Sequence, residues 1–390
     1  MEKQQTTEIS LTKRLLQLAG IFLKIGSINF GGPMALTAIM EQEFVRKRQW
    51  LSREHFLDFV AATNLVPGPN ACELAAFIGH TRAGFPGLVV AEFCFFLPAV
   101  VLSTALAVIY RKFGALPQVD SLFYGINPVI LALILMATYR LGKNTLTRWT
   151  QAAIFGLALL ASFLNVNEVY IIFGAGLLAM MLSYAPQLHQ KGLHLLLLLP
   201  LFSRFTLWKA QAPAADNVLL KLFLFFLKTG ALIFGSGMVL FAFIQDDIVE
   251  KFGWLTQQQL IDAIAVGQMT PGPVMSSAGF IGYVIAGWKG GILSALAIFL
   301  PSFFISAAIV PIIPKMRASK PLQAFLRGVN AAVIALMLGV ALTITKNAIV
   351  DVWTIFVMLA SGLILFFYKW DAIWLVFGGA ILGYLHHLLT

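Results

Sequence analysis

Residues 24–33 read Lys-Ile-Gly-Ser-Ile-Asn-Phe-Gly-Gly-Pro, and residues 64–69 read Asn-Leu-Val-Pro-Gly-Pro. About 204 positions later the chain repeats both. Residues 228–237 read Lys-Thr-Gly-Ala-Leu-Ile-Phe-Gly-Ser-Gly, and residues 268–273 read Gln-Met-Thr-Pro-Gly-Pro. Each pair is bridged by a loop that ends in Trp-Leu, at Trp50-Leu51 and at Trp254-Leu255. The correspondence continues outward. Gly125-Ile126-Asn127 answers Gly328-Val329-Asn330, Trp149 answers Trp353, and Tyr170 to Gly174 answers Trp374 to Gly378. A repeat on this scale is the mark of a duplicated structural unit.

The solvent for that unit follows from composition. The chain is 59% hydrophobic and 11% charged, with a mean hydropathy of +0.86, whereas an ordinary soluble domain is about a quarter charged. Six apolar segments are expected in each half, roughly 15–40, 54–81, 86–110, 121–140, 150–164 and 168–184, then 219–244, 258–285, 288–312, 322–345, 351–367 and 371–388. The expected organisation is a tail over 1–14, a first repeat over 15–184, a linker over 185–218 and a second repeat over 219–388. The net charge of +10 belongs to short loops that set membrane topology, so nucleic acid is not an expected partner. The lipid bilayer is.

Equivalent loops carry opposite charge biases. Arg46, Lys47, Arg48 and Arg53 fill the first loop of one half against Lys251 in the other, while Lys315, Arg317 and Lys320 outnumber Arg111 and Lys112 after the third segment. If the Pro-Gly-Pro segment is re-entrant, each half crosses five times and the second half is inverted. Only Lys3, Lys13 and Arg14 on the N-terminal side run against this scheme. The fold class predicted is an all-α polytopic membrane protein of two homologous transmembrane repeats, inverted relative to each other, with broken or re-entrant helices at the Phe-Gly and Pro-Gly-Pro motifs.

Broken helices in matching places point to a transporter site near the midplane, where helix ends and freed backbone groups meet an ion. Lys24 and Lys228 stand within apolar segments, where a lysine faces either an interface or a wet path. Gly31 and Gly32, with Gly235 and Ser236, let backbone approach an ion. Pro67, Gly68 and Pro69, with Pro271, Gly272 and Pro273, cannot continue a helix and leave backbone groups to be satisfied. Asn64 and Gln268 offer amides beside those breaks, and Ser276 offers a hydroxyl. Glu73, in the place of Ser276, is a proton-coupling candidate, with pairing to Arg82 as the structural alternative. No P-loop, no metal-ligand spacing and no nucleophile motif occurs, so neither a cofactor nor an enzymatic activity is expected.

The combination Lys-x-Gly-x-x-x-Phe-Gly-Gly-Pro, the Trp50 loop, Asn-Leu-Val-Pro-Gly-Pro and Gly-x-Asn resembles the chromate ion transporter family in its long, two-domain form, over residues 15–388. The resemblance implies a bacterial inner-membrane carrier that exports chromate and confers chromate resistance, with sulfate or another oxyanion as the alternative substrate on the same fold. An antiporter mechanism and a homodimer are left open. A dianion leaving an inside-negative cell gains about 4.6 kcal/mol per 100 mV, enough for export without ATP.

Overall fold

The computed structural model describes residues 10–28, 32–63, 66–114, 116–188, 217–234, 237–368 and 370–389. These residues are helical apart from turns and one isolated antiparallel bridge. The first half contains α1 (Leu11–Ile28), α2 (Gly32–Met40), a π-helical turn (Glu41–Lys47), α3 (Arg53–Thr63), α4 (Asn70–Phe113), α5 (Pro117–Thr145), α6 (Trp149–Phe163) and α7 (Glu168–Leu188). The second half contains α8 (Val218–Leu232), a short helix (Leu240–Phe243), a π-helical turn (Ile244–Lys251), α9 (Gln257–Met269), α10 (Ser277–Ile309), α11 (Lys320–Ala348), α12 (Val352–Phe367) and α13 (Ala372–Leu389).

Five helical stretches are long and apolar enough to cross a membrane: Asn70–Phe113, Val119–Thr145, Val274–Ile312, Lys320–Ala348 and Ala372–Leu389. The exterior is correspondingly greasy, with Phe163, Val352, Phe367 and Leu389 all exposed. Helices satisfy their own backbone groups, which is the condition for standing in hydrocarbon. The protein is a multi-pass membrane protein.

Two of these spans are not single rods. In α4, Ala83 adopts φ −147°, ψ 25° and Gly84 φ 62°, ψ −153°, and in α10 Ala286 and Gly287 adopt nearly the same angles. The glycine values lie in a region that essentially only glycine enters. A Cβ placed on Gly79 would lie 2.2 Å from the Gly87 carbonyl oxygen, and one on Gly282 would lie 2.3 Å from that of Gly290. Eight residues along a straight helix span about 12 Å, so the chain doubles back at each turn. Both helices are hairpins, with arms 70–82 and 85–113 in α4 and 277–285 and 288–309 in α10. The turns fall in the gaps expected between segments 54–81 and 86–110, and between 258–285 and 288–312.

Expected segment 54–81 is itself divided. The Pro67-Gly68-Pro69 break separates α3, with 11 residues, from the first arm of α4. At 1.5 Å per residue neither piece reaches across a core of about 30 Å.

Packing sorts the helices into two bodies. One comprises α1 on α4, α4 on α10 and α10 on α8. Its seams are glycine contacts, Gly26 against the Phe95 carbonyl and Gly230 against that of Ile298. At its centre Phe96 stacks on Phe299 with ring centroids 4.1 Å apart and planes 4° apart. In the other body each half lends helices to its neighbour: α5 packs on α12 and α13, and α11 on α6 and α7. Gly125 meets Gly379 and Gly383, and Gly328 meets Ala175 and Ala179, the close backbone approach that small residues permit in membranes.

Candidate functional site

The broken segments of the two halves meet. Gly68, with φ 135°, donates its N–H to the Ile233 carbonyl at 2.7 Å, and Pro67 bridges to Phe234. The first Pro-Gly-Pro thus pairs with the chain leaving α8, where the second Phe-Gly motif begins. Gly272, with φ 101°, serves the other loop. Each loop abuts the opposite hairpin. A Cβ on Gly68 would be 3.5 Å from Ser302 Oγ, and one on Gly272 would be 3.1 Å from Ala99 Cβ. Pro69 and Pro273 stand as N-caps of the helices that follow, and Pro271 is buried. Proline is well placed there, since an N-terminal N–H has no helical partner to lose.

The two lysines, alike in sequence, differ in surroundings. Lys228 Nζ bonds to the Asp247 carboxylate, which Lys251 also approaches at 3.5 Å. The matching carboxylate in the first half is Glu43, but Arg48 holds it at 2.7 Å and Lys47 at 3.3 Å. Burial acts to raise the Glu43 carboxyl, and Arg48 and Lys47 outweigh it and hold the group below the usual range. Lys24 is exposed and has no ion-pair partner among the described residues. The fixed charge expected at both positions is therefore neutralised at one and free at the other.

This asymmetry sets an expected result. The Asp247 side chain is only 8% exposed and that of Lys228 is 38% exposed. Breaking a buried pair costs about 3–5 kcal/mol, and partial exposure together with the remaining Lys251 reduces this to about 1–2 kcal/mol. Lys228→Ala should lower the thermal midpoint in detergent, adding Asp247→Ala should restore most of it, and Lys24→Ala should leave it unchanged. Equal losses at the two lysines would contradict the difference in pairing.

The remaining expected residues are placed as follows. Gln268 Nε2 lies 3.2 Å from Met238 Sδ, which ties the second Pro-Gly-Pro side to the second Phe-Gly side. Ser276 is fully buried, its hydroxyl 3.4 Å from that of Thr270, and its carbonyl accepts from Ser103 Oγ at 2.8 Å. Gly32 opens α2, and Asn64, Gly31, Gly235 and Ser236 lie outside the described residues.

Glu73 is fully buried, and so is Glu92, which the hairpin turn brings back alongside it. Neither carboxyl oxygen of Glu73 has a hydrogen-bond partner among the described residues, while Glu92 lies beside the Ser302 hydroxyl. Arg82 does not pair with Glu73. Its guanidinium sits 4.5 Å over the Trp50 ring and 3.4 Å from Gln17 Oε1, because the loop tip carries it away from the carboxylates.

Two cavities lie among the helices. One, of about 340 Å³, is lined by Tyr110, Asn127, Gln258 and Asp262 among others. Tyr110 Oη donates to Asp262 at 2.6 Å, Gln258 Nε2 donates to the same carboxylate at 2.8 Å, and Asn127 Nδ2 donates to Gln258 at 3.3 Å. The other, of about 410 Å³, lies where α6 and α7 meet α11, and Arg327 lines it. Sequence reasoning missed Arg327, although it is a charged residue three positions before Asn330 in a predicted apolar helix. It also missed Asp247, whose role depends on a partner 19 residues away.

The model of the chromate transporter family matches residues 16–180 and, separately, residues 220–384. The chain belongs to the chromate transporter family. Members of similar length include a probable chromate transport protein of Synechococcus elongatus, 32% identical over 361 residues that cover 91% of this chain and 90% of that one. A chromate transport protein of Cupriavidus metallidurans is 32% identical over 393 residues, 96% of this chain and 95% of its own. An uncharacterized transporter of Methanocaldococcus jannaschii is 26% identical over 376 residues, 93% and 92% of the two chains. No solved structure matches. Membership of this family points to a transporter rather than an enzyme.

Proposed function

We propose that this protein is a secondary transporter that exports chromate across the bacterial inner membrane, and that its halves are an inverted duplication with re-entrant Pro-Gly-Pro segments. The observation that carries the reading is the bond from Gly68 N–H to the Ile233 carbonyl, which joins one half's break to the other's inside a family member that matches the family twice. The recurring hairpin turns and the stacking of Phe96 on Phe299, its counterpart 203 residues on, support a two-fold relation between halves.

In this reading the dianion sits between the Phe-Gly and Pro-Gly-Pro breaks. Backbone at Gly31, Gly32, Gly68, Gly235, Ser236 and Gly272 approaches it, Asn64, Gln268 and Ser276 orient it, and Lys24 supplies the uncommitted charge. Lys228 contributes when its bond to Asp247 opens. The membrane potential supplies about 4.6 kcal/mol per 100 mV for a dianion, with Glu73 as the residue through which a proton gradient couples.

The test is the chromate content of cells with and without the protein, with sulfate as competitor. Lower chromate on expression, abolished by collapsing the potential and by Lys24→Ala, is the expected result. Higher chromate that modest sulfate suppresses would mean a sulfate importer on the same fold and would overturn export.

A further inference from the structure

We propose that the cavity between α6, α7 and α11 is an oxyanion vestibule in which Arg327 and Arg148 capture the dianion before it reaches the central breaks. The proposal rests on the transport reading above and adds a site to it.

Arg327 is half-buried within α11, a stretch long and apolar enough to cross the membrane. Among the described residues its guanidinium has no hydrogen bond and no carboxylate within ion-pair reach. Arg327 stands two turns into α11 and faces a cavity, where an arginine without a protein partner is matched to water or a ligand. Arg148 and Thr150 line the same space at the start of α6, with Ser183 of α7 opposite. A 15-residue helix therefore presents its positive end there alongside two guanidinium forks, the donor set that suits a tetrahedral oxyanion. At about 410 Å³ the cavity holds such an anion together with several waters of about 30 Å³ each.

The equivalent place in the other half has the opposite sign. Tyr124 stands 203 positions before Arg327, and Thr354 stands 204 after Thr150. Both line the first cavity, which carries Asp120 and Asp262, and Tyr124 donates to Asp351. A dianion is drawn to one mouth and repelled from the other. Lined mouths of one sign raise local substrate concentration and capture rate.

Tetrahedral oxyanion chemistry is shared by the transported dianion and by phospholipid phosphate, so the experiment separates them. Full-length protein in neutral detergent is titrated with radiolabelled sulfate and with chromate, then assayed for transport in proteoliposomes. Arg327→Gln should lower anion bound per chain and raise the transport KM about tenfold, with turnover within twofold. Arg327→Lys should recover most of the affinity. Lys320→Gln, an exposed change of equal charge on the same helix, should stay within twofold of wild type. An unchanged KM and unchanged binding in Arg327→Gln would overturn the vestibule, as would displacement of labelled sulfate from wild type by phosphatidylglycerol. Wild-type proteoliposomes that move neither anion would defeat the transport reading instead, and the binding arm would still decide the site.

Discussion

Gly79→Val should leave almost no folded protein in the membrane fraction. Any Cβ at this position lies 2.2 Å from the Gly87 carbonyl oxygen and 2.6 Å from Ala91 Cβ. The obstacle is backbone on the facing arm of the same hairpin, so no side chain can swing aside. The clash exceeds the about 1–3 kcal/mol of an ordinary overpacked core, against a total stability of about 5–15 kcal/mol. The hairpin then opens at Ala83–Gly84 and draws α1 with it, because α1 packs on α4. Gly20→Val is the control: nothing lies within 4 Å of its Cβ direction, and it should accumulate as wild type does. Immunoblots and size-exclusion profiles of solubilised membranes read both, and equal recovery would mean that α4 is not folded back as described.

A double exchange of Glu73→Gln and Glu92→Gln should do the reverse, leaving protein levels intact while transport falls below about a tenth of wild type and loses its response to a pH gradient. The two carboxyls stand on opposite arms of one hairpin, both fully buried and with no cation paired to either among the described residues. In a membrane interior a carboxyl so placed is stable only with a proton on it or a donor brought to it, since the bare charge costs several kcal/mol. Glutamine keeps the shape and removes the exchangeable proton. Ser302 reaches the same neighbourhood from the other half through Gly68, so a change of hydration here is felt at the break itself. Flux and pH response like wild type in the double variant would remove these residues from coupling.

Much of this arrangement was legible in the chain. The apolar segments, the paired breaks and the gaps at residues 83–84 and 286–287 could be read from composition and spacing, because hydrocarbon imposes length and proline forbids helix. A reversal in each gap was implied by reading 54–81 and 86–110, and 258–285 and 288–312, as separate segments, but how tightly the arms close was not legible. Only the contact between Gly79 and Gly87 decides that. The inequality of Lys24 and Lys228 was hidden for a similar reason: it depends on Arg48, which takes Glu43 away from the lysine's counterpart position, and no periodicity announces a competitor. Gly125 read as part of a recurring Gly-x-Asn motif, whereas in the fold it is the crossing point with Gly379 and Gly383. Arg327 was overlooked because a charge near a helix start reads as interfacial until a cavity is found in front of it.

The exchange of helices between halves decides where this protein can move. Because α5 lies on α12 and α13, and α11 on α6 and α7, neither sequence half can swing as one piece without tearing the outer body apart. The line of least resistance runs across the duplication, with α1, α4, α8 and α10 on one side and the six exchanged helices on the other. The chain crosses it three times, at the links from α4 to α5, from α7 to α8 and from α10 to α11. A carrier built this way would shift its inner hairpins as a single piston within a fixed frame, and the join between the halves, which runs from α7 to α8, would tether that piston to the frame at high local concentration.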